Sequence, residues 1–394
     1  MLKLIMKKIL DILIIIFFII ISLQFAISNI KSLRTISQDF AVFYLSGKQA
    51  INKQNPYLLI GSDIVRNPPP TILLFSLLTL LSVKISQTTW FVLSLFSFII
   101  ASYYIFRILE KSDGNKFIFS RSWKVWLIYF SFTLIFFPFR YNLGSGQVNN
   151  FLFLFLVLVF YFLQSKKELW AGFFLSLAIL LKITPTFLLI ILFLQKKTKT
   201  VVWTIIYTII ILATAFLLLG GKIYLNYLTI TKSFFDFNIY TYYNQSLSGF
   251  LSRVFNNVEL TKWLAYTTII IVLTIVLFLF KKTERNSFQS NIIFWNISII
   301  CILILVPFAW QYHFVIIIFP LVTTTYICYK MKVPNKIFFF LILSYLLIGW
   351  NIKNPTTLLN KGIFGSVILS HVFFGSIILL LLNYYFAKNY LLRK

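Results

Sequence analysis

Apolar residues in this chain fall in about a dozen stretches, and its few acids and polar clusters fall between them. Ile9 to Ile27, Trp203 to Leu219 and Trp263 to Phe280 are each long enough to cross roughly 30 Å of hydrocarbon as helices. The pattern predicts an all-α integral membrane protein, a polytopic helical bundle of about twelve transmembrane passes. No stretch is left for a soluble domain, so residues 1–394 read as a single transmembrane domain. Ile9 to Ile27 is too long for the core of a cleavable signal, and no small-residue cleavage site follows it.

The polar clusters set the threading. Lys3, Lys7 and Lys8 precede the first stretch, which places the N-terminus in the cytoplasm by the positive-inside rule. Residues 28–70 then form a large first external loop. Within it, Phe40 to Ile51 has apolar residues at helical spacing, as an amphipathic helix lying along the surface would. Asn67, Pro68, Pro69 and Pro70 stop regular structure before Thr71 to Val83, a stretch short for a span. If that stretch crosses, the basic loop carrying Arg107, Lys111, Lys116, Arg121 and Lys124 lies outside. If it is interfacial or re-entrant, Trp90 to Phe106 is the second pass and the loop lies inside, as the charge rule favours.

Val125 to Phe139 then runs outward, Arg140 to Gln147 is an external turn, and Phe151 to Leu163 returns to Lys166 and Lys167. As one helix, Trp170 to Gln195 would strand Lys196, Lys197 and Lys199 outside. Lys182-Ile-Thr-Pro185 therefore reads as the tip of a broken-helix hairpin, with Pro185 removing a backbone donor there. Such breaks are tolerated at membrane depth where protein or a watery cavity satisfies the backbone, so Lys182 is expected to face a cavity. Val201 to Leu219 leads to an external loop over 220–261, and Trp263 to Phe280 returns to Lys281, Lys282 and Arg285. Ile292 to Phe308 and Val315 to Tyr329 flank a turn at Trp310 to His313. Ile337 to Gly349 and a last run from Ile363 to Phe386 end at Lys388, Arg393 and Lys394, with both termini cytoplasmic.

Composition sharpens this picture. The chain holds 36 Lys and Arg against 9 Asp and Glu, a formal charge of +27. Such basicity would suit nucleic acid, but the cations sit in short clusters between spans and form no stripe with stacking aromatics. Nucleic acid is discounted as a partner, and anionic membrane lipids are expected beside the clusters. Cys301 and Cys328 both lie inside apolar stretches, so neither a disulfide framework nor a metal site is indicated. His313 and His371 lack partners at metal-ligand spacing, and no Asp-x-Asp pair is present.

The candidate chemistry gathers on one membrane side. Asp39, just past the first span, is either a solvated loop acid or a general base for a substrate hydroxyl. Asp63, after Gly61 and Ser62, reads as a turn former. Lys182, Arg140 and Arg253 are external-side cations. Snorkelling to the headgroups explains an isolated one, but a hairpin tip beside a proline is a poor lipid-facing position for Lys182. Cations placed there suit a lipid-linked phosphate. Gly144-Ser-Gly146-Gln147 has the composition of a tight turn, and Trp310 to His313 that of an interfacial aromatic belt.

Taken in order, these elements resemble glycosyltransferase family 87 of the GT-C superfamily. The resemblance rests on six features between about residues 35 and 325. Asp39 precedes an aromatic-rich stretch to Gly47-Lys-Gln-Ala50 and Asn55-Pro-Tyr57, and Asn67-Pro-Pro-Pro70 opens an apolar run. Gly146-Gln147-Val-Asn149 follows, then Ala171-Gly172 through Leu181-Lys182-Ile-Thr-Pro185. Asn244-Gln-Ser-Leu247 with Arg253, and Pro307-Phe-Ala-Trp310-Gln-Tyr-His313, complete the set. Where family members often carry two adjacent histidines, this chain has Tyr312-His313.

The resemblance implies a GT-C fold and inverting transfer of a sugar from a polyprenyl-phosphate donor to an acceptor at the outer face. It implies Asp39 as the base on the acceptor hydroxyl and Lys182 as a contact of the donor phosphate. Gln147, Asn244, Arg253 and His313 become contacts for sugar or phosphate. Mannose is the family-weighted sugar, a cell-envelope glycolipid or glycan the expected acceptor, and no cofactor or metal is required. A transporter or flippase of lipid-linked sugars is the competing class, but it calls for polar residues along a path joining both faces. A polytopic glycan polymerase or ligase is the other alternative.

Overall fold

The computed structural model describes residues 2–58, 60, 63–112, 122–231, 241–282 and 287–391. Gly61, Ser62, Lys116, Arg121, Arg285, Arg393 and Lys394, which entered the sequence reading, lie outside the described residues. Two isolated backbone bridges apart, all regular structure among the described residues is helical.

Helix α1 (Leu2–Arg34) runs past Ile27, where the apolar pattern ended. Lys31 and Arg34 occupy its last turn, where the negative end of the helix dipole favours cations. The amphipathic stretch becomes α2 (Gln38–Ile51), which buries Phe40, Phe43 and Ala50 against α3 (Pro69–Leu78). Gly47 permits that approach, since a Cβ there would lie 2.7 Å from the Phe75 carbonyl carbon. Ten residues of α3 make about 15 Å of helix, half the hydrocarbon thickness. Both of its ends stay at one end of the bundle. The Thr71 hydroxyl donates to the carbonyls of Leu180 and Leu181, and the Ser86 hydroxyl to that of Leu78. The stretch from Thr71 is therefore too short to run the length of the bundle, as the interfacial or re-entrant reading expects.

Helix α4 (Val83–Ser112) begins beside the end of α1, where Gln87 exchanges hydrogen bonds with Ser37 N and Thr35 O. It ends beside the far end of α7 (Asn149–Gln164), where Lys111 donates to Ser165. Between them the chain climbs through α5 (Trp123–Ile135), tied near its start to α1 by a Lys124–Asp11 ion pair. The expected turn over Arg140 to Gln147 is a correction: most of it is a second helix, α6 (Phe137–Ser145). Phe136 leaves the helical region, Pro138 sits in the first turn of α6, where a missing N–H costs nothing, and Gly146 ends it left-handed at φ 75°.

The broken hairpin is present. Helix α8 (Glu168–Leu181) stops at Lys182, whose backbone is extended. A 3-10 turn at Thr184–Thr186 leads into α9 (Phe187–Leu194), and α10 (Thr198–Leu219) follows. Gly172, early in α8, lies against Thr200, Trp203 and Thr204, early in α10. With the starts of α8 and α10 side by side, the chain rises to Lys182 and returns through α9. The 220–261 loop contains α11 (Gly221–Ile230) and α12 (Leu247–Phe255); its residues 232–240 lie outside those described.

Helix α13 (Val258–Lys282) then precedes α14 (Phe288–Ile304), which is buried along nearly its whole length. The expected turn at Trp310 to His313 is instead the start of a 3-10 helix, Gln311–Ile317, running into α15 (Ile318–Lys330). Helix α16 (Asn335–Gly349) and the short α17 (Pro355–Leu359) follow. The last apolar run, read as one pass from Ile363 to Phe386, is divided into α18 (Gly362–Leu369) and α19 (His371–Phe386). The division falls at Ser370, whose hydroxyl oxygen accepts from buried Arg253.

Among the described residues, six helices are long and apolar enough to cross a membrane, and seven shorter apolar ones accompany them. Helices α1, α10 and α13 are largely exposed along apolar faces, as lipid-facing helices are. Inside, Asn296, Thr323, Thr324 and Asn383 join α14, α15 and α19 through hydrogen bonds, satisfying polar groups where no water reaches.

Candidate active site

The start of α2, the start of α7 and the tip of α8 meet at one end of the bundle. Gly146 brings them together. Its left-handed backbone turns the chain into α7, and a Cβ there would stand 2.7 Å from that of Phe40. Its carbonyl accepts from the Trp90 indole at 2.8 Å, and Ser37 donates to the neighbouring Ser145 carbonyl at 2.9 Å. Gln147 is thus fixed against Asp39 and donates Nε2–H to Oδ2 at 3.0 Å.

Across from this pair stands Lys182. Its ammonium donates to Asn149 Oδ1 at 3.1 Å, and Asn149 donates in turn to Asn142 Oδ1 at 2.9 Å. The extended backbone at Lys182 is held from outside the hairpin, because Asn67 donates to the Leu181 carbonyl at 2.8 Å. The sequence-predicted Asp39, Gln147, Lys182 and His313 all line one cleft of about 510 Å³, counting its open mouth. Asp63, Arg66, Asn67, Phe308, Trp310 and Tyr312 are among the other residues of its walls. A second pocket of about 240 Å³ continues past Lys182 and His313 between Leu152, Ile302, Leu303, Val306 and Ile316.

Burial pushes the Asp39 carboxyl above its ordinary 3.8, opposed by the Gln147 hydrogen bond. Nearby Asp63 pushes it further up, while Ser145 and Lys182 pull it down. A carboxylate of this kind is a stronger base than one in water and still has its charged form supported by a donor and a cation.

Asn244, Arg253 and Arg140 do not line the cleft. Asn244 is fully buried and works as a clasp. It donates to the Pro307 carbonyl at 3.3 Å, and its Oδ1 accepts from Ala309 N at 3.0 Å and Ser246 Oγ at 2.9 Å. Ser248 and Ser246 also donate to the Pro307 carbonyl. Asn244-Gln-Ser-Leu-Ser therefore pins the segment that carries Trp310, Tyr312 and His313. Arg253 is buried too and donates to the carbonyls of Thr241 at 2.6 Å and Asn244 at 2.7 Å and to Ser370 at 2.8 Å. Its charge is bound to the clasp. Arg140 reaches Ser28 on α1 at 3.3 Å.

The sequence reading missed Arg66 and passed over Asp63 as a turn former. Asp63 does close a turn, exchanging backbone hydrogen bonds with Ile60 and taking Ile64 N–H on Oδ1 at 2.8 Å. The legible signal was position: Arg66 directly precedes the Asn67-Pro-Pro-Pro70 motif, whose asparagine is bound beside Lys182.

A search of curated proteins gives no relative matching this sequence. The fold is similar to the crystal structure of ArnT from Cupriavidus metallidurans bound to undecaprenyl phosphate. That likeness has 11% identity and a TM-score of 0.46, and covers 94% of this chain and 76% of ArnT, so the assignment rests on sequence instead. The model of glycosyltransferase family 87 matches residues 66–307, more than half of the chain. The protein belongs to glycosyltransferase family 87, the GT-C branch that its ordered motifs resemble, and is a membrane glycosyltransferase.

Proposed function

We propose that the protein moves a hexose, with mannose the first to test, from a polyprenyl-phosphate donor to a hydroxyl of a cell-envelope glycolipid or glycan. The observation that carries this reading is the single cleft in which Asp39, held by Gln147, faces Lys182. In the reaction Asp39 takes the acceptor proton as the acceptor oxygen attacks the anomeric carbon, and the bond to the phosphate oxygen breaks on the opposite face. One displacement inverts that carbon. Lys182 stabilises the departing phosphate, and the narrower apolar pocket beside it suits the first units of a prenyl chain. A phosphate ester leaves as a stable anion, so base and cations suffice, and no metal is required in this proposal. His313 and Gln147 are assigned to the sugar.

The cleft is proposed to open on the outer face of the cytoplasmic membrane, with both termini inside, as the basic clusters favour. Purified protein given short-chain polyprenyl-phosphate hexoses, a glycolipid acceptor and a chelator tests the reading. Release of polyprenyl phosphate with a glycosylated acceptor is expected. If no hexose donor is consumed, with or without divalent cations, the reading is wrong.

A further inference from the structure

Arg66 is the one cation on the cleft wall that the reaction above leaves unused. Its guanidinium lies over the Phe308 ring, 5.3 Å from the centroid. Its Nε is buried and has no hydrogen-bond partner, and among the described residues it forms no ion pair. Asp63, three residues away on the same wall, does not neutralise it. A half-buried guanidinium whose Nε has no acceptor bears a desolvation cost that a bound anion would offset.

Two further contacts fix where that anion would sit. Phe308 follows Pro307, whose carbonyl is held by Asn244, Ser246 and Ser248, so the backbone that carries the ring under Arg66 is anchored. On the other side, Asn67 is bonded to the Leu181 carbonyl, the residue before Lys182. Arg66 and Lys182 are thus carried by two chain segments fastened to one another and facing one cleft.

We propose that Arg66 and Lys182 together clamp the donor's phosphate, with Arg66 matched to the charge that appears as the sugar leaves. This rests on the transfer reaction proposed above. The donor phosphodiester carries one negative charge. When the bond from the anomeric carbon to the phosphate oxygen breaks, its electron pair stays on that oxygen and the phosphate becomes a monoester approaching two negative charges. The acceptor oxygen forms the new bond, and its proton passes to Asp39. One ammonium balances the donor, and a second cation is needed by the product. Interactions that strengthen as charge develops raise kcat more than they lower KM. Arg66→Gln should therefore cut kcat more than it raises donor KM, and Arg66→Lys should restore part of the loss.

The direct test is binding of short-chain polyprenyl phosphate, without sugar, to the full-length protein in detergent at pH 8, where the monoester is doubly charged. Arg66→Gln and Lys182→Gln are each expected to weaken binding tenfold or more, with Tm unchanged and a neutral prenyl alcohol bound equally by all three proteins. If the wild-type protein binds polyprenyl phosphate and Arg66→Gln binds it as tightly, the clamp is wrong while the donor assignment stands. If Arg66→Gln changes only the KM of the acceptor, the clamp is likewise wrong and Arg66 belongs to the acceptor. If the wild-type protein shows no preference for the phosphate over the alcohol, the donor assignment fails first.

Discussion

At the residue scale, Asp39, the proposed base, sets the expected pH behaviour. Its carboxyl is held above the ordinary carboxylate range, chiefly by burial. A base must be ionised to act, so activity is expected to fall as pH drops through that raised value, placing the acid limb of kcat/KM above the ordinary carboxylate range. The neighbours move the limb in opposite directions. Gln147→Leu removes a donor to the ionised form and should shift the limb up, whereas Asp63→Asn removes a like charge and should shift it down. A pH profile of each variant checks both signs. Stability runs the other way. Between its unfolded and folded values the native protein holds the Asp39 proton more tightly, so stability declines as pH rises through that window. Asp39→Asn, which carries no charge to bury, is therefore expected to melt no lower than wild type at pH 7. Lys182→Gln should lower kcat/KM by roughly a hundredfold, the size of losing one donor to a developing anion.

At the element scale, the site depends on helices that stop early. Helix α8 ends at Lys182, α6 at Gly146, and the segment before α15 winds as a 3-10 helix that starts beside Trp310. Sequence reading located the first break, because Pro185 and the misplaced basic cluster at Lys196 both argued against a continuous helix. It missed that Arg140 to Gln147 is mostly helical, since Gly and Ser there carry turn propensity and the left-handed Gly146 is a helix end as readily as a turn. It also could not see that Asn244 and Arg253 brace the site from outside. Polar residues in an external loop look alike whether they touch substrate or a neighbouring carbonyl, and only the carbonyl of Pro307 tells them apart. The clasp carries its own prediction. Asn244→Ala leaves the Ala309 N–H without its acceptor in a buried place, costing about 1–3 kcal/mol. Tm should fall, and activity should fall with it although Asn244 lies outside the cleft. A variant with normal turnover would show that the 307–313 segment holds its place unaided.

At the scale of the whole molecule, charge and hydropathy were enough for an all-helical membrane fold, the hairpin and the short helix at α3. The family followed from motif order. Less legible was the uneven length of the helices: α1, α10 and α13 face outward and are long, whereas several interior helices are short because broken helices end at the site. The threading places Lys53, after α2, and Lys196, after α9, on opposite sides of the membrane. Lys53→Cys should react with an impermeant maleimide from outside intact cells and Lys196→Cys only after permeabilisation, with Cys301 and Cys328 buried and silent. Labelling of both from one side would overturn that arrangement.

The central claim is that Asp39 is the base of a sugar transfer carried out in this cleft. Single-turnover transfer from a polyprenyl-phosphate hexose, comparing wild type with Asp39→Asn at equal Tm and equal donor binding, tests it most directly. The account predicts a rate loss of roughly 100-fold to 10,000-fold, the range for removing a positioned general base. Transfer by Asp39→Asn at a rate near that of wild type would contradict it.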